Sequence, residues 1–114
     1  MRDRIDGVNL VALVPGDPVA VHARVFVPGP IGAEDAATGS AAGPLAIHLA
    51  RHGLADWDEE IVIHQGVEMG RHSVMRARAI PGTGPDAQPD TVDRVEVSGT
   101  AVVVARGDLD LSGL

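Results

Sequence analysis

One stretch of this chain, about Ala41 to His52, carries helical periodicity, and it is set among β-rich runs punctuated by proline and glycine. A chain with one helix and about six strands has few ways to bury its apolar surface, because the helix must lie against a sheet. Ala42, Leu45, Ala46, Ile47, Leu49 and Ala50 cover most of the circumference of that helix. They predict a largely buried helix wrapped by sheet. Pro44 falls in the first turn, where its missing N–H is tolerated, and Gly53 follows the last turn, where a left-handed residue is favoured.

The strands read as three hairpins. Val8 to Val14 and Val19 to Val27 flank Pro15-Gly16-Asp17-Pro18, whose fixed and permissive dihedrals suit a tight turn. The second run alternates, with Val19, Val21, Ala23, Val25 and Val27 on one face and His22 and Arg24 on the other. Glu60 to Gln65 and Ser73 to Ile80 form the next pair around Gly66 to Gly70. Pro81 to Asp90 is a Pro/Gly-rich exposed loop, expected to be the most flexible segment. Val92 to Val97 and Thr100 to Arg106 flank Ser98-Gly99 as a third hairpin, and Asp108 to Leu114 is an acidic tail. The expected fold is a single α+β domain over residues 1–114, a curved antiparallel sheet or barrel around one central helix.

Composition narrows the function. With 114 residues there is room for one core and not for a two-domain cleft. The net charge of −7 and the lack of any Lys/Arg run leave no basic face for nucleic acid. The absence of cysteine removes disulfides, thiolate nucleophiles and cysteine-bound zinc together. No run approaches transmembrane length, and the charged Met1 to Gly7 segment has no signal-type apolar run behind it, so a cytoplasmic protein with no membrane partner is expected.

Chemistry concentrates where Gly32-Ala-Glu-Asp-Ala-Ala-Thr-Gly-Ser-Ala-Ala-Gly-Pro44 runs into the helix. The free N–H groups of a first helical turn carry partial positive charge, and glycines let a ligand approach them. Thr38 and Ser40, with the backbone of Gly39, Ala41 and Ala42, are therefore candidates to bind a carboxylate, and Asp35 to accept a hydrogen bond or move a proton. Asp35, Thr38 and Ser40 are equally good helix-capping types. Arg71, in a glycine turn, is either a carboxylate ligand or a surface arginine. His48 and His52 share a helix face without a third ligand, and His64 and His72 flank the Gly66 to Arg71 turn as strand-end residues; no metal is expected.

Four pieces taken together resemble the C-terminal half of the PhzF-like isomerases of phenazine biosynthesis. They are Arg24-Val-Phe-Val-Pro28, Glu34-Asp-Ala-Ala-Thr-Gly-Ser-Ala-Ala-Gly-Pro-Leu45, Gln65-Gly66 with Met69-Gly70-Arg71-x-Ser73, and Val97-Ser-Gly-Thr-Ala-Val-Val-Val-Ala-Arg-Gly107. His72 stands where that family usually has proline. The resemblance implies the diaminopimelate epimerase-like fold, two similar domains with the active site between them. It implies cofactor-independent proton-shift isomerisation of a small, carboxylated, dihydroanthranilate-type substrate. Asp35 and Ser40 match the family's C-terminal site residues, and Thr38 stands where related epimerases carry a cysteine. The family's principal acid/base glutamate belongs to the other half, so Glu34 is a further candidate base. The chain is then expected to complete its cleft with a second copy, as a homodimer, or with an N-terminal-half partner. The alternative is an anion-binding or regulatory domain without catalysis.

Overall fold

The computed structural model describes residues 7–29 and 33–114. Gly32, the first residue of the glycine-rich loop, and the N-terminal Met1 to Asp6 lie outside the described residues. The elements in chain order are β1 (Val8–Val14), β2 (Ala20–Phe26), β3 (Glu34–Asp35), α1 (Gly39–Arg51), β4 (Ile61–Gln65), β5 (Ser73–Pro81) and β6 (Val92–Gly99). No helix among the described residues is long and apolar enough to cross a membrane.

The result is an α+β unit with one six-stranded sheet in the order β1-β2-β4-β5-β6, β3 pairing with β2 beside this path. The expected opening and second hairpins are present, β1 against β2 and β4 against β5, both antiparallel. The sheet as a whole is mixed, not antiparallel: β4 lies parallel to β2, with Val21 opposite Ile63 and His22 opposite His64. The reason is the helix between them, since a strand that returns to its neighbour through a helical crossover arrives in the same direction. The sheet is also open, not closed into a barrel. Thr100 to Arg106, expected as the last strand, makes no ladder, and Val102, Val103 and Val104 are 83%, 71% and 89% exposed.

Alternation along the strands sorts their residues cleanly. In β2, Val21, Ala23 and Val25 are buried while Ala20, His22, Arg24 and Phe26 are half-buried on the other face. Ile61, Ile63, Met75, Ala77 and Ala79 continue the buried face through β4 and β5. Against it packs one side of α1, carrying Ala42, Leu45, Ala46 and Leu49. Small residues let the helix come close: a Cβ on Gly43 would meet Val95 Cγ1 at 2.8 Å. The helix is thus half-wrapped, where the sequence suggests enclosure, because no strand among the described residues covers the side bearing Pro44, His48 and Arg51, all exposed. The helix begins at Gly39, two residues before the expected start, and Gly53 adopts the expected left-handed φ of 65° after its end. The loop of residues 82–91 is exposed over most of its length and closed at its base by the Gly82 N–H donating to the Thr91 carbonyl at 2.7 Å.

Candidate functional site at the helix start

The short strand β3 pins the glycine-rich loop to the end of the sheet, with Asp35 opposite Val25 and Glu34 opposite Phe26. From there the chain is held by the β4–β5 turn. Gln65 occupies a core-facing position after Ile61 and Ile63 and is 1% exposed. A buried amide needs partners, and this one donates from Nε2 to the Asp35 carbonyl at 2.8 Å and to Thr38 Oγ1 at 2.9 Å. Thr38 in turn donates its hydroxyl to Asp35 Oδ2 at 2.7 Å. Ser73 Oγ donates to the Ala36 carbonyl at 2.9 Å. Gly66 has a φ of 78°, and a Cβ there would fall on the carbonyl oxygens of Arg71 and Ala36. The turn and the loop are therefore in backbone contact, which brings Arg71 to the same end of the sheet as Asp35.

Thr38 is the residue before the helix, but its side chain makes no capping hydrogen bond; its hydroxyl donates to Asp35 and its oxygen accepts from Gln65. The first turn contains no acidic residue either. Gly39 and Ser40 are exposed, and the space where a Gly39 Cβ would sit is open. The helix start thus has no side-chain cap and no acidic residue in its first turn, with the Asp35 carboxylate held beside it through Thr38. The Ala41 N–H already donates to the Thr38 carbonyl at 3.1 Å, and Ala42 is buried at 2% exposure.

Glu34 and Asp35 are consecutive in an extended strand, so their side chains point to opposite faces. Asp35 bonds with Thr38 at the helix start, whereas Glu34 forms a two-pronged pair with Arg24 at 2.8 and 3.0 Å. The Arg24 hydrogen bond holds the Glu34 carboxyl below the usual carboxylate range. Arg24 also lies 3.8 Å from Glu68, whose own carboxylate meets His22 Nε2 at 2.6 Å. These groups border a concavity of about 370 Å³ shared with Leu10 and Ala12 on the outer face of the sheet. The Arg71 side chain is exposed and makes no ion pair among the described residues. His64 Nδ1 and His72 Nε2 are 2.9 Å apart on the strands beside the turn, and His52 Nδ1 bonds the His48 carbonyl at 2.8 Å at the helix end.

Two residues hold the loop without having been assigned to it from sequence, Gln65 and Ser73. The signal for Gln65 was available: it is the one polar side chain at the inward positions of a strand that otherwise reads Ile61, Ile63. Such a position is kept polar by dedicated partners.

The open α+β sheet and the loop define a domain that offers a helix N-terminus and an adjacent, hydrogen-bonded carboxylate at one end of its sheet. Residues 5–107 match the family model described as phenazine biosynthesis-like protein, and the chain belongs to that family. It is 53% identical over 90 residues to a trans-2,3-dihydro-3-hydroxyanthranilate isomerase of Pseudomonas chlororaphis, a match covering 79% of this chain and 30% of that protein. The isomerase of the same name from Pseudomonas aeruginosa is 53% identical over 86 residues, covering 75% of this chain and 29% of that one. An uncharacterized isomerase of Clostridium acetobutylicum is 34% identical over 99 residues, covering 82% and 30%. The chain thus spans about 30% of the length of the curated relatives it matches.

Proposed function

We propose that this chain is one lobe of a PhzF-like isomerase site of diaminopimelate epimerase-like architecture. It shifts a proton, without a cofactor, along a small, carboxylated, unsaturated substrate of the dihydroanthranilate type named for its relatives. The observation that carries the reading is the uncapped helix start beside Asp35. Gly39 and Ser40 receive the substrate carboxylate, with Arg71 as its cationic partner, and Thr38 holds Asp35 in place rather than touching the reacting carbon. Asp35 accepts a hydrogen bond from a substrate amine or hydroxyl, or carries the proton itself once the cleft is closed over it. The opposite wall and its base come from a second polypeptide surface, either another copy or an N-terminal-half partner.

A second reading, carboxylate binding without turnover, is favoured by one specific observation. Glu34, the nearest alternative base, is tied to Arg24 on the other face. Two measurements separate the readings. Titration with a dihydroanthranilate-type ligand should show binding that weakens about tenfold or more in Ser40→Ala, the scale of losing one charge-assisted hydrogen bond. Deuterium incorporation from D2O into that ligand, with and without an N-terminal-half protein, reports turnover. Binding without incorporation in either case leaves the binding domain as the function. Unchanged affinity in both Ser40→Ala and Asp35→Asn overturns the site itself.

A further inference from the structure

His64 and His72 stand at the two ends of the β4–β5 turn, and their side chains meet. Alternation in β4 sends Ile61, Ile63 and Gln65 inward and His64 to the outer face of the sheet. His72 comes one residue before Ser73, whose hydroxyl reaches in to the Ala36 carbonyl, so His72 takes the outer face as well. There His64 Nδ1 and His72 Nε2 are 2.9 Å apart, with the ring planes 29° apart and the centroids at 5.1 Å, so the rings face each other edge to edge. The backbone on either side of His72 is fixed. The Arg71 N–H donates to the Gly66 carbonyl at 2.9 Å, and Ser73 Oγ is also 3.3 Å from the Gln65 carbonyl. His22 lies opposite His64 on β2 and spends its Nε2 on Glu68.

Two neutral imidazole nitrogens facing each other share one proton, and the ring that carries it can hold it on its other nitrogen instead. That change leaves two lone pairs side by side on adjacent strands, and imidazole lone pairs are ligands for divalent transition metals. The spacing selects among them. Two metal–nitrogen bonds of about 2.05 Å whose far ends are 2.9 Å apart meet at about 90°. Tetrahedral zinc would hold the nitrogens about 3.3 Å apart, whereas the tetragonal geometry of Cu(II) accepts a right angle, and copper also forms the strongest complexes with such donors. Each ring has only to turn about its Cβ–Cγ bond to aim at the same point. No group of three ligand-type side chains converges among the described residues, so the other coordination positions are left to water. The net charge of −7 favours a cation as the ligand.

We infer that His64 and His72 form a two-histidine site for a divalent transition metal, Cu(II) before Zn(II), on the outer face of the sheet beside the Gly66 to Arg71 turn. Gln65 reaches the Asp35 carbonyl from the opposite face, so the site is separate from the helix start and draws on no role of Asp35 or Ser40. It rests on a contact inside the β4–β5 hairpin, not on an uncovered surface.

The probe is Cu2+ itself, added to the untagged chain in a weakly coordinating buffer and followed by calorimetry and electron paramagnetic resonance. One Cu2+ per chain should bind at neutral pH with a tetragonal, nitrogen-ligated spectrum, and more weakly as pH falls and protons compete for the imidazoles. His64→Ala and His72→Ala should each weaken binding at least tenfold with an unchanged circular dichroism spectrum, and Zn2+ should bind at least tenfold more weakly than Cu2+. The rival pair is His48 and His52 on α1, where His52 Nδ1 is taken by the His48 carbonyl. The His48→Ala/His52→Ala chain should therefore keep its affinity. In the unaltered chain, substoichiometric Cu2+ should broaden the NMR signals of His64 and His72 first, a readout that needs no variant. Failure to take up Cu2+, binding that survives His64→Ala/His72→Ala, broadening centred on His48 and His52, or Zn2+ held as tightly as Cu2+ overturns the proposal.

Discussion

Gln65→Met tests whether the loop at the helix start is held by the buried amide. Methionine keeps the length and the approximate volume of the side chain and removes its donors, so the Asp35 carbonyl and Thr38 Oγ1 each lose a hydrogen bond, of 2.8 and 2.9 Å. At a net value of about 1 kcal/mol for each bond, the fold should lose about 2 kcal/mol, a roughly thirty-fold shift toward the unfolded state. With a urea dependence of about 2 kcal/mol per molar, the unfolding midpoint should fall by about 1 M. Trp57, the single tryptophan, is half-buried against the core and reports the transition by its fluorescence. Shape mismatch alone could imitate part of this loss, so the decisive comparison is a double-mutant cycle with Thr38→Val. Because Gln65 Nε2 and Thr38 Oγ1 bond directly, the two substitutions should show a coupling of about 1 kcal/mol. Additive substitutions, or a Gln65→Met midpoint equal to that of the unaltered chain, would refute the reasoning.

Two further outcomes follow from the same geometry. Gly66→Ala places a Cβ at a φ of 78° and against the carbonyls of Arg71 and Ala36, neither of which is a flexible side-chain end, so it should cost about 2 kcal/mol or more. In a thermal melt that corresponds to a drop of roughly 8 °C or more, and a melt unchanged from the parent would show that the turn does not press on the loop. Acid should destabilise the chain. Hydrogen bonds from Arg24 to Glu34, and from Arg78 and Arg94 to Glu96, hold both carboxyls below their usual values, as the backbone and His22 do for Glu68. The unfolded chain then binds more protons in this range, so these contributions are complete above the ordinary carboxylate pKa and are lost as pH falls through the lowered values. Urea midpoints measured from pH 7 to pH 3 should fall on that limb, and Glu34→Gln should flatten it; an unflattened limb would mean that the pair with Arg24 does not outlast solvent screening.

Much of the element plan was legible because it depends on local pattern. Alternation in Val19 to Val25 marks a half-buried strand wherever that strand sits, and Gly53 marks a helix end through its own dihedrals. The direction of β4 was less accessible, since nothing inside Ile61 to Gln65 states whether its neighbour runs with it or against it. That depends on what lies between the strands, and the helix between β2 and β4 makes a parallel return the economical one. Thr100 to Arg106 failed for a different reason. Its valines have strand propensity, but propensity becomes a strand only when an edge is available to pair with, and in the single chain this one meets none.

The site divides along the same line. Asp35, Thr38 and Ser40 could be singled out because residue type and the following helix are both local. Capping and ligand binding, however, compete for the same helix N–H groups, and sequence alone leaves that competition open. It turns on Gln65, thirty residues from Asp35 in sequence, which joins Thr38 from inside the core while Thr38 commits its hydroxyl to Asp35. Had Thr38 capped the helix, its side chain would have used one of the N–H groups that the proposed carboxylate ligand needs. The buried glutamine therefore does more than anchor a loop. By helping to fix Thr38 beside Asp35, it orders the carboxylate and leaves the helix start free of its own cap, and both consequences serve the anion site proposed at Gly39 and Ser40.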